Sequence, residues 1–169
     1  MAKTILTQSI LKSLFDYDPE MGVFMRLVST NSRSKIGDIA GGFDGDGYCK
    51  IYIGGSEYRA HRLAWLYMTG EWPKHQIDHR DCNRANNAWS NLREATRSQN
   101  GANRVLQKNN TSGFKGVCKV GNRYLAQIQS GVVNRRIVIF DSAEEASAAY
   151  AAAAKKYFGE FARSVSETH

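Results

Sequence analysis

The stretch that most restricts the fold of this chain is residues 76–100. Ile77-Asp78-His79 reads as a strand, Asn83, Asn86 and Asn87 crowd the loop after it, and Leu92-Arg93-Glu94 reads as a second short strand. Thr96-Arg97-Ser98-Gln99 then fits the capping box that opens a helix. Asn91 lies 12 residues after His79, and Asn100 lies 21 after it. This spacing predicts a strand, loop, strand, helix unit built around one pocket. Asn100 is expected in the first helical turn, with its side chain directed back at the strand that carries Asp78 and His79.

The residue types in that unit carry definite chemistry. An imidazole with a reference pKa of about 6.5 can take a proton from water near neutral pH. A carboxylate and an amide oxygen are hard donors, which favour magnesium over zinc. One such imidazole and two oxygen donors are enough for hydrolysis of a phosphodiester. In a regular strand Asp78 and His79 point to opposite sides, so adjacent but separate roles require the backbone to bend there.

Charge separates the chain into parts. The net charge is +7 over 169 residues, yet residues 1–60 carry seven basic and seven acidic groups. Residues 95–140 hold no Asp or Glu and eight basic side chains: Arg97, Arg104, Lys108, Lys115, Lys119, Arg123, Arg135 and Arg136. A block of one sign that long repels itself unless a polyanion is the partner, which points to nucleic acid. It has no helical amphipathic stripe that would lay it on lipid. The apolar runs fall short of the roughly 20 residues that span a bilayer, and the N-terminus lacks a signal-peptide pattern, so a cytoplasmic location is expected. Cys49, Cys82 and Cys118 are scattered, with no C-x-x-C pair. They signal neither a disulfide framework nor a sulfur-ligated zinc site and read as small semi-buried hydrophobes.

Turn signals are dense before the central unit: Asp18-Pro19-Glu20-Met21-Gly22, Gly41-Gly42, Asp44-Gly45-Asp46-Gly47 and Gly54-Gly55. They predict short strands at 23–26, 48–53 and 57–60, the last two joined by a Gly54-Gly55 hairpin. Helices are predicted at 8–15 and at 61–69, the second closed by Gly70 and stopped before Pro73. After a linker at 107–113, strands are predicted at 114–120, 124–130 and 135–140, then a helix at 143–158 opened by Ser142-x-x-Glu145 and ended by Gly159. Its stripe Ala146, Ala149, Tyr150, Ala153 and Tyr157 is expected to lie on the sheet. In the middle strand Tyr124, Ala126 and Ile128 should face that helix, with Leu125, Gln127 and Gln129 outward.

Taken together, Ala60-His61-Arg62-Leu63-Ala64-Trp65, Gly70-Glu71-Trp72-Pro73, Ile77-Asp78-His79, Asn86-Asn87, Asn91-Leu92-Arg93-Glu94-Ala95-Thr96 and Gln99-Asn100 resemble the HNH endonucleases of phages and prophages, of the free-standing or intron-homing kind. The upstream run from Leu14 to Gly22 resembles the N-terminal segment of those proteins. The resemblance implies a ββα-metal fold in which His79 is the general base, Asn91 ties down the loop, and Asp78 and Asn100 hold one magnesium (or manganese) ion. Cys82 stands where a glycine is common, and Ala88-Trp89 replaces a frequent polar stretch. Arg62 is a candidate phosphate contact, and Arg97 is grouped with it. His61 has two readings, support for the site or a buried hydrogen-bonded side chain.

A second resemblance covers residues 110–162. Ser112-Gly113-Phe114-Lys115-Gly116-Val117, Tyr124-x-Ala126-x-Ile128, Phe140, the run from Ser142 to Ala154 and Gly159 are similar to the Apetala-type (ethylene-response-factor) DNA-binding domain, which also occurs fused to HNH nucleases. It implies a three-stranded sheet that enters the major groove with a helix packed behind. Candidate DNA contacts are Lys115, Lys119, Arg123, Gln127, Gln129, Arg135 and Arg136, since Gln can read adenine, Arg guanine and Lys the phosphates. Cys118, Val120 and Arg136 stand where the plant domain usually has arginines and a tryptophan, so the plant target sequence does not carry over.

The expected fold class is α+β: a ββα-metal nuclease module over residues 1–106, strand-rich at 1–60 with its core at about 61–106, then a three-stranded antiparallel sheet packed on one helix at 110–162. The expected function is a sequence-selective, divalent-metal-dependent endonuclease that nicks double-stranded DNA as a monomer in the cytoplasm of a bacterial host cell. No membrane or obligate protein partner is expected. The alternative is a DNA-binding transcriptional regulator with an inactive HNH site, against which stand the intact Asp78, His79, Asn91 and Asn100.

Overall fold

Thr7 accepts the Ile10 amide on its hydroxyl and so caps the first helix, α1 (Gln8–Leu14). The computed structural model describes residues 5–29, 34–106, 109–130 and 133–163. Among them the fold is α+β, with four helices and several small sheets. The chain divides into two compact units, Met1–Glu94 and Ala95–His169. No described helix is long and apolar enough to cross a membrane.

In the first unit α1 runs straight into β1 (Phe15–Asp18), which pairs antiparallel with β2 (Val23–Arg26). Asp18 makes the turn between them: its Oδ1 accepts the amides of Glu20 and Met21, each at 2.9 Å. A second sheet follows in the order β3 (Gly42–Phe43), β4 (Cys49–Ile53), β5 (Ser56–Arg59). Gly54 and Gly55 both adopt positive φ, 56° and 77°, as a two-residue hairpin between β4 and β5 demands. Helix α2 (Ala60–Thr69) ends at Gly70 in the left-handed conformation, and β6 (Gln76–His79) pairs with β7 (Leu92–Ala95). Phe24, Leu11, Ile51, Leu63 and Leu66 are fully buried and form the centre of this core. The ring of Tyr17 lies on Phe24 with centroids 4.7 Å apart.

In the second unit Thr96 and Gln99 form the full capping box of α3 (Arg97–Asn103). Three antiparallel strands follow, β8 (Val117–Val120), β9 (Arg123–Ser130) and β10 (Val133–Phe140), with β9 in the middle. Helix α4 (Ala143–Phe158) is capped by Ser142, whose hydroxyl accepts the Glu145 amide. Ala102 of α3, Val117, Ala126, Ile128, Ala146, Tyr150, Ala154 and Phe158 share one core.

Several details depart from the sequence reading. The first strand begins at Val117, because Gly116, at φ 70°, turns the chain where the Tyr150 ring passes. A Cβ on Gly116 would lie 2.1 Å from that ring. The buried stripe of α4 runs through Ala143, Ala146, Tyr150, Ala154 and Phe158, while Tyr157 is exposed. An alanine run gives no periodicity from which to choose between these two faces. Leu125 is buried despite facing away from Ala126, since Cys118 and Ile139 stand beside it as cross-strand partners. Of the expected linker, residues 107 and 108 lie outside the described residues; Asn110 and Ser112 make local turn bonds, and the Ser112 hydroxyl donates to the Val117 carbonyl at 2.7 Å. Cys118 is exposed, whereas Cys49 and Cys82 are half-buried.

Candidate active site

Three consecutive residues of β6 are buried: Ile77, Asp78 and His79. Both faces of the strand are therefore covered, and alternation sends Asp78 and His79 to different partners. Arg93 on β7 donates its Nε to Asp78 Oδ2 at 2.9 Å, an ion pair with both side chains below one-tenth exposure. Neutralising a carboxylate that deep requires such a partner.

His79 sits in an aromatic corner. Its Nε2 lies 3.2 Å from Asn87 Oδ1. The His61 ring meets it edge-on, at 5.1 Å and 83°, and Tyr48 lies within 5.4 Å of His61 and 6.2 Å of His79. Burial pushes the His79 pKa below its ordinary 6.5, against the opposing pull of the Asn87 bond and of Asp81 and Asp78. Its ring is thus neutral at pH 7, the state a base requires. Burial pushes His61 further, down to about 3, with His79, Arg62 and Arg59 adding positive charge nearby. His61 Nδ1 is buried without a hydrogen-bond partner among the described residues. Of the two readings of His61, the buried hydrogen-bonded side chain does not describe that nitrogen.

The loop after β6 is held by its own amides. Asn91 Nδ2 donates to Asp81 Oδ1 at 2.9 Å and to the Asn86 carbonyl at 2.8 Å. Asn91 Oδ1 accepts the Asp81 amide at 3.1 Å, and the Asn91 carbonyl accepts the Arg80 amide at 2.9 Å. Burial works to raise the Asp81 pKa, but donors from Asn86, Asn83 and Asn91 hold its carboxyl below the usual value. Cys82 adopts φ 64°, the left-handed conformation that a glycine would accept at no cost. Trp89, in the 3-10 turn Trp89–Asn91, packs on Trp65 at 5.3 Å. At the rim, Arg59 and Arg84 lie 4.3 and 4.8 Å from the Tyr48 centroid, and Arg84 donates to the Asp46 carbonyl.

Arg62 lies over Trp72, 5.8 Å from its ring centroid. Asn100 and Arg97 are carried by the first turn of α3, in the second unit. Among the described residues no group of three or more His, Cys, Asp or Glu side chains could hold a metal ion. Asp78, a carboxylate in a dry setting with its charge offset by Arg93, is an oxygen donor of the kind a hard dication takes.

On the second unit Lys119, Gln129 and Arg136 are exposed. Arg123 pairs with Asp141 at 2.7 Å, and Gln127 Nε2 donates to Cys118 Sγ at 3.1 Å. Lys115 is placed differently from the expectation of a strand-borne phosphate contact: its ammonium donates to the carbonyls of Ala102 and Arg104 at the end of α3. The Arg135 side chain lies outside the described residues.

Asn87, Tyr48 and Arg84 belong to the site and were not singled out from sequence. Asn87 had a signal, its place in an asparagine cluster eight residues after His79, but nothing in the sequence separates it from Asn83 and Asn86.

Residues 58–102 match a family model described as HNH endonuclease. The chain is 35% identical over 125 residues to an uncharacterized HNH endonuclease of Acanthamoeba polyphaga mimivirus, a match that covers 67% of this chain and 65% of that protein. It is 43% identical over 60 residues to Protein 3.8 of Escherichia phage T7, covering 35% of this chain and 50% of that one. The chain thus spans less than two thirds of the length of the curated relatives it matches. A solved structure described as DNA binding and cleavage by the HNH homing endonuclease I-HmuI is similar at a TM-score of 0.40 and 26% identity, over 52% of this chain and 49% of that chain.

Proposed function

We propose that this protein is a divalent-metal-dependent DNA endonuclease of the HNH homing type, and that it nicks double-stranded DNA at a selected sequence as a monomer. The observation that carries the reading is His79 itself: a buried neutral imidazole, held by its own loop, inside the segment that matches the HNH endonuclease family. His79 takes the proton of the attacking water as general base. Asp78 is the first-unit residue that would hold the metal ion, and Asn100 on α3 is the other candidate oxygen donor. When bound, that ion supplies positive charge to the phosphorane-like centre and the leaving oxygen. Arg93 fixes the Asp78 carboxylate, and Asn91 fixes the loop by its hydrogen bonds to Arg80, Asp81 and Asn86. Arg62 and Arg97 serve as phosphate contacts, and His61 supports the His79 ring.

Selectivity belongs to the module at 110–162, read as an Apetala-type DNA-binding domain behind a nuclease module at 1–106. Gln127, Gln129 and Arg123 read base edges, while Lys119, Arg135 and Arg136 contact the backbone. Lys115 contributes by holding α3 rather than by touching phosphate. Among the described residues there is one such site and two unlike modules, so one copy reads an asymmetric sequence and meets one scissile phosphate.

A supercoiled plasmid library treated with limiting protein plus magnesium or manganese should accumulate open circles nicked on a fixed strand. No cleavage with either ion would overturn the nuclease reading. Linear product without an open-circle intermediate, with a dimer mass in solution, would overturn the monomeric nicking.

A further inference from the structure

We propose that the turn between β1 and β2 clamps Asn87, and that Asn87 is a positioning residue which fixes the imidazole tautomer of His79. The inference rests on the nuclease reading above.

The amide orientation of Asn87 is settled by its second bond. Its Nδ2 donates to the Ala85 carbonyl at 3.1 Å, so Oδ1 is the atom turned to His79. A carbonyl oxygen only accepts, hence His79 Nε2 carries the proton. A neutral imidazole protonated at Nε2 has its lone pair on Nδ1, and Nδ1 is therefore the basic atom. When the attacking water loses a proton, its O–H bond breaks and the proton joins Nδ1. The imidazolium so formed keeps its Nε2–H on the Asn87 oxygen, whose dipole favours the positive ring.

Asn87 is only 2% exposed, and its backbone is gripped from the far end of the first unit. The Tyr17 hydroxyl of β1 donates to the Asn87 carbonyl at 2.7 Å across 70 residues of sequence. Burial raises the Tyr17 pKa well above its ordinary value, so that hydroxyl keeps the proton it donates. Gly22, at φ 71°, lies so close that a Cβ there would fall 2.2 Å from the Ala88 nitrogen and 2.3 Å from the Asn87 carbonyl carbon. The Trp89 amide donates to the Pro19 carbonyl at 2.8 Å and closes the same contact. Asp18, which shapes this turn, thus acts on His79 at two removes. The run from Leu14 to Gly22, read from sequence as a turn and as a resemblance, thereby gains a physical role in holding the residue that orients the base.

The test reads the tautomer directly. Long-range proton–nitrogen correlation spectra of isotope-labelled full-length protein resolve the histidine rings, with His79 assigned by its loss in His79→Gln. Wild type should show the Nε2–H form. Asn87→Ala should populate the Nδ1–H form and lower kcat by about 10- to 100-fold with KM for DNA unchanged, the scale typical of a residue that orients a functional histidine. Asn87→Asp, which keeps an acceptor oxygen, should retain the Nε2–H form. Tyr17→Phe should move tautomer and kcat the same way by a smaller amount, about 2- to 10-fold, the worth of one hydrogen bond. Gly22→Ala should exceed Tyr17→Phe if it folds. A folded Asn87→Ala variant whose His79 tautomer matches wild type would overturn the proposal, whatever its kcat. Wild type that shows the Nε2–H form but cuts no DNA would instead sink the nuclease reading and leave the clamp standing.

Discussion

The two units bury different things. Among the described residues, six of the eight buried polar or charged side chains, His61, Asp78, His79, Asn87, Asn91 and Arg93, lie in Met1–Glu94, around a core of Leu11, Phe24, Ile51, Leu63 and Leu66. Among its described residues the second unit buries Asn103 and Ser147 of this class, packs alanines against Tyr150 and Phe158, and leaves Lys119 and Arg136 in solvent. Burying a polar group costs stability unless each is paired, so a cluster of them marks where orientation matters more than stability. Exposed cations such as these are the side chains that would neutralise phosphates and release counterions if the second unit meets DNA as proposed.

All three tryptophans, Trp65, Trp72 and Trp89, lie in the first unit, so their fluorescence in urea reports that unit alone. This makes the contrast open to attack. Arg93→Ala should cause the largest stability loss, about 3–5 kcal/mol, because it takes the ion-pair partner Arg93 from the buried Asp78 carboxylate. A loss under 1 kcal/mol would mean that the pair is not the counter-charge it is taken for. Acid should act next. His61 has its pKa lowered from 6.5 to about 3, chiefly by burial, with His79, Arg62 and Arg59 facing it. The unfolded chain then binds more protons than the native one between those two values. Stability is full above pH 6.5 and falls as pH drops toward 3, by up to about 1.4 kcal/mol per pH unit. Comparing pH 7 with pH 5, before carboxylates protonate, His61→Gln should flatten that decline; an unchanged slope would remove His61 as its source.

Asn91→Ala should destabilise the first unit by about 1–3 kcal/mol, since it leaves the Asp81 carboxylate and the Asn86 carbonyl short of a donor. Its cleavage should recover in part at low temperature. A variant as stable as wild type yet inactive would point to a direct chemical role. Smallest in stability are Lys119→Ala and Arg136→Ala, expected within about 0.5 kcal/mol of wild type. Each should lower the salt dependence of DNA binding by about 0.9 in the log-log slope, equally at all sequences. A change in sequence preference would move either residue from backbone contact to base reading.

Much of the fold was legible because local signals agreed with it. Gly54-Gly55, Gly70 and Thr96-x-x-Gln99 each occupy the conformation or bond that the residue type demands. Two kinds of feature were not legible. The buried face of α4 could not be read because alanines on several faces look alike, and Phe158 rather than Tyr157 closes the core. Contacts that depend on distant parts of the chain were invisible too. Lys115 reaching the end of α3, and Gly22 and Tyr17 gripping Asn87, join residues 11 to 70 positions apart with no spacing rule between them. Of the site residues expected from sequence, Asp78 and His79 lie on β6 and Asn91 on the loop that follows it, whereas Asn100 is carried by α3 in the second unit. Asn87 reads from sequence as one of several loop asparagines, and its part beside His79, like that of Tyr48, emerged only once the loop was folded.

The measurement that tests the account most directly sets cleavage against binding in the same protein. Wild type and His79→Ala are assayed for single-turnover nicking of one target duplex with magnesium, and for affinity to that duplex with the metal left out. The account predicts a rate loss of about 100- to 10,000-fold with affinity within about threefold, because a positioned base contributes to the transition state and little to ground-state binding. A His79→Ala variant that nicks within tenfold of wild type would contradict it.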